Sequence, residues 1–351
     1  MSIHFGDDIK RLYHDGDWIK RVYLGDELVW REGYPISSTW SGTVVSDGTV
    51  VFEHAITEAG AYAFDFGGVI PSYITLRVEV PGHTKTRSYS LDDSTDWVRL
   101  ARSLNVGDVV RFVASTTVGT TKAATLQFSI RQSTHPIAGL NPDLWLPFEG
   151  QLFANYGIGG AGGTPQSPMP SLEDGFGRFN GGQSTVPIVD TWSTGGTIGL
   201  WFRHRSTTSG GKIFLHRYGA SNNTSYELYL NTDPATGRPY AGTSINGAWW
   251  DISYPLGAVN IADGNWHFIV ANINKYSSSR WALTLWVDNL EPRQVTRALS
   301  TFGNFSNHPL YIGGGANGTR YNFDADDVFS VPFEMSTSMI HGLYAAGRTG
   351  S

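Results

Sequence analysis

The chain is predicted to be all-β, with an N-terminal hairpin segment followed by two β-sandwich domains. Three observations predict this. Aromatic residues are abundant, with 16 Tyr, 18 Phe and 12 Trp, and Gly is high at 42 of 351 residues, the profile of short strands joined by glycine turns. Apolar and polar residues alternate at period two in many short segments. Turn signals recur between these segments at the spacing of a sandwich or jelly roll. A chain of 351 residues is long enough for two or three domains, each with its own core.

The elements follow in order. Residues 9–30 read IKRLYHDGDWIKRVYLGDELVW, one basic–aromatic phrase written nearly twice. In the first copy Tyr13 precedes a His14–Asp15–Gly16 turn, and Trp18 and Ile19 follow. In the second, Ile19, Arg21 and Tyr23 alternate with Lys20, Val22 and Leu24, Gly25–Asp26 turn the chain, and Leu28, Val29 and Trp30 resume. Two tiny hairpins or one small meander result. Such units are marginal alone in water and need a surface to dock on, either their own chain or a partner's sheet. Residues 1–36 are therefore assigned as a docking hairpin repeat.

Residues 37–132 are expected to form a jelly-roll-like β-sandwich. VVSDGTVVF places an Asp-Gly turn between two Val pairs. SYITLRVEVPG puts Ile74, Leu76, Val78 and Val80 on one face, and Asn105–Gly107–Asp108 divides two further strands. Residues 133–142, STHPIAGLNP, read as a linker. Residues 143–351 are again strand-rich, with strands at IGLWFRHR, KIFLHRY, SYELYLNT, WHFIVANIN, WALTLWVDN and LYIGG. SMIHGLYAAG, at 338–347, is the one helical stretch and stops at Gly347.

Composition excludes several functions. The formal net charge is −6 and no long basic run exists, so nucleic acid is not an expected partner. Cysteine is absent, which removes thiolate metal sites and cysteine nucleophiles. No stretch is long and apolar enough to insert in a membrane. The opening MSIHFGDDIKRLY has no apolar h-region, so synthesis and assembly in a cytoplasm are expected. The sequons at Asn222, Asn223, Asn304 and Asn317 then read as polar turns. GIGGAGG at 157–163 fits a dinucleotide fingerprint, but the prolines of TPQSPMP follow where a helix must start. It reads as a loop. No E-x-D pair places two carboxylates on one strand face; Glu53 with Glu79, or Asp324 with Asp326, come nearest. The histidines show no metal-binding spacing, and no catalytic residue is assigned.

The second half resembles the laminin G-like domain of the concanavalin A-like lectin/glucanase fold. Its motifs occur in order: DLWLPFEG (143–150), GFGRFNGGQSTVPI (175–188), TIGLWFRHR (197–205), ADGNWHFIVANI with WALTLWVDN (262–289), and FDADDVFSVPFEMSTSMIHGLYAAG (323–347). The Glu of the family's closing motif is not matched; Ser338 lies near its place. The resemblance implies a concanavalin A-like sandwich over about 200 residues. Alternation along WHF then predicts Trp266 and Phe268 toward the inter-sheet core and His267 outward. Such domains often bind Ca²⁺, which implies a metal site with Asp326 and Glu149 as ligands; the other reading of Asp324, Asp326 and Asp327 is solvated acids capping a turn. KRVYLGDELVW resembles segments at the N-termini of minor tail or tail-fibre proteins of phages infecting Gram-positive and actinobacterial hosts.

Aromatic tips supply the candidate contact residues. Sugar rings present apolar C–H faces that stack on aromatics, while polar side chains bind the hydroxyls. NGAWWDISYP sets Trp249 beside Trp250, which must point to opposite faces of a strand. RYGASNNTS contributes Tyr218 and Asn222, and KYSSSRW contributes Tyr276 and Arg280. Each aromatic also has an ordinary reading as packing under a loop.

Together these imply a phage tail protein, assembled in the host cytoplasm and acting outside it. Its C-terminal domain would bind a host cell-wall or capsular polysaccharide, and residues 1–36 would dock on other tail proteins. The second reading is a purely structural tail-tip or decoration protein, and the third a polysaccharide depolymerase. No coiled-coil heptads exist, so a homotrimer or tail-symmetry multimer would be held by β contacts.

Overall fold

In a computed structural model of the protein, residues 12–14, 17–19, 21–24, 27–31, 36–89, 94–117, 119–133, 135–148, 155–157, 164–166, 169–188, 192, 194–205, 213–221, 224–233, 235–245, 248–299, 308–314 and 321–348 are described. The fold is all-β, with two short helices among the described residues. The repeated opening phrase forms two separate antiparallel pairs, β1 (Leu12–His14) with β2 (Asp17–Ile19), and β3 (Arg21–Leu24) with β4 (Glu27–Arg31).

The next strands are β5 (Ile36–Val45), β6 (Thr49–Ala55), β7 (Gly60–Ile70), β8 (Ile74–Val80), β9 (His83–Tyr89), β10 (Ser94–Leu104), β11 (Val109–Thr116) and β12 (Thr121–Gln132). They make two four-stranded antiparallel sheets, ordered β10-β7-β12-β5 and β6-β11-β8-β9. Period-two patterning places their apolar faces together. In β8, Ile74, Leu76, Val78 and Val80 are buried and the residues between them are not. Phe112 centres this core, its ring 5.3 Å from Phe66 and 5.4 Å from Phe128. The Asp47–Gly48 turn has Gly48 at φ 100°, a conformation open to glycine at little cost.

The stretch expected as a linker holds helix α1 (Pro136–Gly139). His135 caps it by accepting the Ile137 N–H, and Pro136 occupies the first turn, where a missing N–H costs nothing. Ile137 and Ala138 are buried in a cluster that includes Ala63 and Ala101 of the first sandwich and Trp145, Phe268 and Phe329 of the second.

The second sandwich contains β13 (Leu144–Leu146), β14 (Thr164–Gln166), β15 (Ser171–Glu173), β16 (Phe176–Asn180), β17 (Gln183–Val186), β18 (Gly195–His204), β19 (Ile213–Ser221), β20 (Thr224–Thr232), β21 (Pro239–Ile245), β22 (Ala248–Ser253), β23 (Trp266–Ser277), β24 (Arg280–Val287), β25 (Arg293–Ala298), β26 (Leu310–Ile312) and β27 (Asn322–Val331). One sheet runs β15-β16-β27-β18-β23-β24-β25, with β13 also paired to β27; the other runs β14-β17-β26-β19-β20-β21-β22. Helix α2 (Thr337–Ala346) follows, capped by Ser336 at its start and ended by Gly347 at φ 76°. It lies on the outer face of the first of these sheets, with Tyr344 stacked on Trp201 at 5.6 Å.

That covered outer face corrects one expectation. Ile269, Ala271 and Ile273 fill the inter-sheet core, so His267 shares their side of β23. Phe268 and Val270 lie on the opposite side, in the cluster beneath α1 and α2, with Trp266 packed against them. The predicted parity is reversed because this sheet is apolar on both faces, and alternation alone does not say which apolar face is the inner one. His267 is nonetheless 9% exposed, held by Asp288 at 2.8 Å and Asp263 at 3.0 Å.

Candidate functional site

The seven-stranded sheet turns its inner face to the core through Leu228, Leu230, Ala241 and Ile245, and Trp250 and Ile252 pack against that core. Strand alternation therefore assigns Glu227, Tyr229, Gly242, Ser244, Trp249 and Asp251 to the outer face. The registers align them into two rungs. One rung crosses five strands as Tyr311, His216, Tyr229, Gly242 and Asp251; its neighbour crosses four as Tyr218, Glu227, Ser244 and Trp249.

The rings of these rungs adjoin one another. His216 lies 5.3 Å from Tyr218, 6.0 Å from Tyr229 and 6.3 Å from Tyr311, and Tyr229 lies 6.4 Å from Trp249. Gly242 makes the arrangement possible. A Cβ there would stand 2.0 Å from Tyr229 Cζ, so the Tyr229 ring rests directly on bare backbone. His216 Nε2 is fixed by Glu227 at 3.2 Å. Burial, with the nearby Asp251 and Glu227 carboxylates, raises the Tyr229 phenol to about 12, so it keeps its proton and can donate. Trp249, at the edge of the row, is 52% exposed, and the Asp251 carboxylate is exposed beside it. Arg297 of β25 donates to the Trp249 carbonyl, and its guanidinium lies 5.5 Å from the Trp250 ring centre, bracing the edge strand from the other sheet. His216 and Glu227 are themselves buried, at 4% and 6% exposure, and position the rings beside them. The accessible part of the row, Trp249 and Asp251 with half-buried Tyr229 and Tyr218, can stack an apolar ring face and bind hydroxyls with a carboxylate and a phenol.

The predicted contact residues divide. Trp249 and Tyr218 belong to the row. Trp250 faces inward, as the opposite-faces argument requires of one of the pair. Tyr276, 60% exposed, and Arg280, bonded to Thr296 Oγ1 at 3.3 Å, stand at the β23–β24 turn of the other sheet. They are not part of this row. Asn222 lies outside the described residues. Arg217, the first residue of RYGASNNTS, is fully buried, its guanidinium 3.9 Å from the Trp192 ring centre. His216, Tyr229, Tyr311, Glu227 and Asp251 were missed. The available signal was the alternation of Glu227, Tyr229 and Asn231 against Leu228 and Leu230 in SYELYLNT.

The carboxylates implied as metal ligands are committed elsewhere. Asp326 is fully buried; one oxygen accepts the Asp327 N–H at 2.8 Å and the other lies 3.3 Å from Arg348. Asp324 is held by Arg203 at 2.6 Å, Arg205 at 3.3 Å and Arg178 at 3.5 Å. Arg203 and Arg348 cover Trp266 at 4.7 and 4.2 Å. Asp327 accepts the Trp145 indole N–H at 2.9 Å. Guanidinium groups thus occupy the oxygens that a calcium ion would need, and among the described residues no group of three or more acids and histidines could hold a metal. The described carboxylates do not fit a calcium site; Glu149 lies outside the described residues. Glu53 and Glu79, on the first sandwich, pair with Arg111 and Arg77.

No family model matches the chain, and no curated protein matches it. Solved structures similar to it include the botulinum neurotoxin serotype C1 binding domain, at 10% identity and a TM-score of 0.44 over 59% of this chain and 52% of that one. A botulinum neurotoxin type C structure, described as dependent on interaction with two ganglioside molecules for cell entry, gives 12% identity and 0.45 over 58% and 50%. The binding domain of Paraclostridial Mosquitocidal Protein 1 gives 15% and 0.42 over 59% and 52%. The chain spans about half the length of these structures. At such TM-scores the likeness carries no argument about ligand or partner.

Proposed function

We propose that this protein is a glycan-binding adhesion protein of a phage tail, docked by residues 1–36 and holding host-surface polysaccharide on the second sandwich. The observation that carries the glycan reading is the row of Trp249, Tyr229 and Tyr218 on the outer face of the seven-stranded sheet, with buried His216 between the two tyrosines and Asp251 beside Trp249. Flat rings with hydroxyl-binding groups at their edge suit the apolar and polar sides of a saccharide. The tail assignment rests on the resemblance of KRVYLGDELVW to tail-protein N-termini. Multimeric display on a tail would add avidity to weak single contacts.

The test is binding of the full chain to intact Gram-positive and actinobacterial cells and to their purified wall polysaccharide. Trp249→Ala is expected to weaken binding roughly tenfold, the loss of about 1.4 kcal/mol of stacking. Its melting temperature should stay near that of the parent. Trp250→Ala should instead destabilise the fold, by about 2 kcal/mol for a half-buried indole. Undiminished binding by the Trp249 variant would remove the row as the site. Absence of binding by the parent would favour a structural tail-tip role.

A further inference from the structure

A cavity with a basic wall lies on the first sandwich, away from the row. It has a volume of about 530 Å³, within the range of small-ligand pockets, and opens on the β10-β7-β12-β5 sheet. Register explains its wall. Ser37, Ser129, Asp65 and Arg99 stand side by side on the four strands, and Thr39 and Trp97 follow one rung on. The alternate residues Phe64, Phe66, Val98 and Leu100 are core, which leaves Asp65, Trp97 and Arg99 on the outer face. Tyr156 closes one end from the second sandwich, where its N–H bonds to the Trp145 carbonyl at 2.9 Å.

The carboxylate in this wall is already engaged at both oxygens. Asp65 Oδ1 accepts from Tyr156 Oη at 2.9 Å and faces Arg99 Nε at 3.1 Å. Its Oδ2 accepts from Ser129 Oγ at 3.2 Å and lies 3.7 Å from Arg131 Nε. Arg131 also donates to Tyr156 Oη at 2.7 Å. Two guanidinium groups thus converge on one carboxylate. Burial first, and then Arg87 and Arg99, lowers the pKa of Lys85, so the basic groups here repel one another. Arg99, whose side chain is 12% exposed, is held through Nε alone; among the described residues nothing accepts a hydrogen bond from its two terminal nitrogens. A guanidinium fork with two unengaged donors matches the paired oxygens of a carboxylate or phosphate, and such charge-assisted bonds are strong where water is partly excluded. The rest of the lining suits a sugar ring. The Trp97 indole lies 5.7 Å from the Arg99 guanidinium, and the Ser37 and Thr39 hydroxyls bond to no described residue.

We propose that the first sandwich carries its own binding site for an acidic saccharide unit, its carboxylate or phosphate on the terminal nitrogens of Arg99 and its ring against Trp97. It goes beyond the proposed row and does not depend on it. The test uses the full chain bearing Trp249→Ala, to silence the row, with glucuronate, glucose 6-phosphate and neutral glucose as probes. Saturation-transfer NMR reports contact and calorimetric titration reports affinity. At least one acidic sugar is expected to bind saturably, roughly tenfold or more tighter than glucose, and which one binds tells carboxylate from phosphate. Adding Arg99→Gln should weaken that binding roughly tenfold or more. Because Arg99 also steadies Asp65, Thr39→Glu serves as a second variant. It sets a carboxylate at the cavity from an exposed side chain that bonds to no described residue, and it should weaken acidic-sugar binding equally, while melting curves check both folds. Binding of neither acidic sugar, glucose binding as tight as theirs, or binding that both substitutions leave unchanged overturns the proposal. Acidic-sugar binding by the parent that Trp249→Ala alone abolishes also overturns it, and leaves the row standing.

Discussion

His267 shows how a single residue ties the β23–β24 hairpin together. Its two ring nitrogens meet Asp288 at 2.8 Å and Asp263 at 3.0 Å, and Asp288 also accepts the Phe268 N–H at 2.8 Å. Burial alone would lower the imidazole's pKa; the bonds and charges of the two carboxylates outweigh it, and the net shift is upward. Burial likewise pushes Asp263 up, but bonds from Asn265 and His267 bring it below its ordinary value, so it stays ionised through the imidazole's titration. A raised pKa means the folded state holds the proton more tightly. The stability it adds is fully present below the unfolded value of 6.5 and is lost as pH rises through the folded one. His267→Gln should therefore cost most below neutrality, about 2 kcal/mol from charge-assisted bonds, and progressively less in alkali. Melting curves of both proteins across pH check this; a pH-independent difference would sink it. The sequence marked this residue through its DG-x-W-H motif. Its partner in the V-D-N turn lies 21 positions away, and that pairing depends on the register of two strands.

At the scale of the element, the glycan row depends on β21 being bare at Gly242. Tyr229 crosses that strand to approach Trp249 on β22, and any side chain at 242 would lift it. Gly242→Ala is expected to weaken polysaccharide binding several-fold while the core face of β21 stays intact. A crystal structure of the variant should show the Tyr229 ring displaced; binding equal to the parent would mean the ring is not part of the contact. Strand β27 shows a second element-scale device. Phe323 and Ala325 point into the inter-sheet core, while Asp324 and Asp326 point out. Asp327, at φ 44°, breaks the alternation, after which Val328 faces in and Phe329 faces out. The FDADDVF pattern gave no warning of this bulge. Strand existence was legible from period-two patterning at β8 and β20. The row was only half legible, because its residues come from five strands and are joined by register, which local sequence does not specify.

Across the whole molecule, the two sandwiches meet through buried polar contacts as well as apolar ones. Lys85 of β9 is buried and donates its Nζ hydrogens to the carbonyls of Asn155, at 2.9 Å, and Gly157. Burial, with lesser repulsion from Arg87 and Arg99, lowers its pKa from 10.5 to about 7. A neutral amine has two hydrogens for the two carbonyls. Between about 7 and 10.5 the unfolded chain binds the proton and the folded one does not, so the contact gains stability as pH rises and loses it as pH falls through about 7. The sign is opposite to that of His267. The stability difference between the parent and Lys85→Met should move in the parent's favour with rising pH above neutrality, as read by paired melts. A flat difference would show that Lys85 is solvated rather than enclosed. A Cβ on Gly157 would fall 2.3 Å from the Asp143 carbonyl, which explains the glycine that begins the GIGGAGG stretch without any nucleotide.

Local sequence was enough for the all-β class, the turns at Asp47–Gly48 and Asn105–Asp108, the terminal helix and the opposed directions of Trp249 and Trp250. Those depend on neighbours in the chain: period-two alternation, glycine at positive φ, a cap and a stop. Long-range packing was needed to set which face of β23 is inner, to bind Asp324 and Asp326 with arginines, and to bring His216, Tyr229 and Trp249 into one row. Each of those depends on which strands lie side by side, and that is set by packing between residues far apart in sequence.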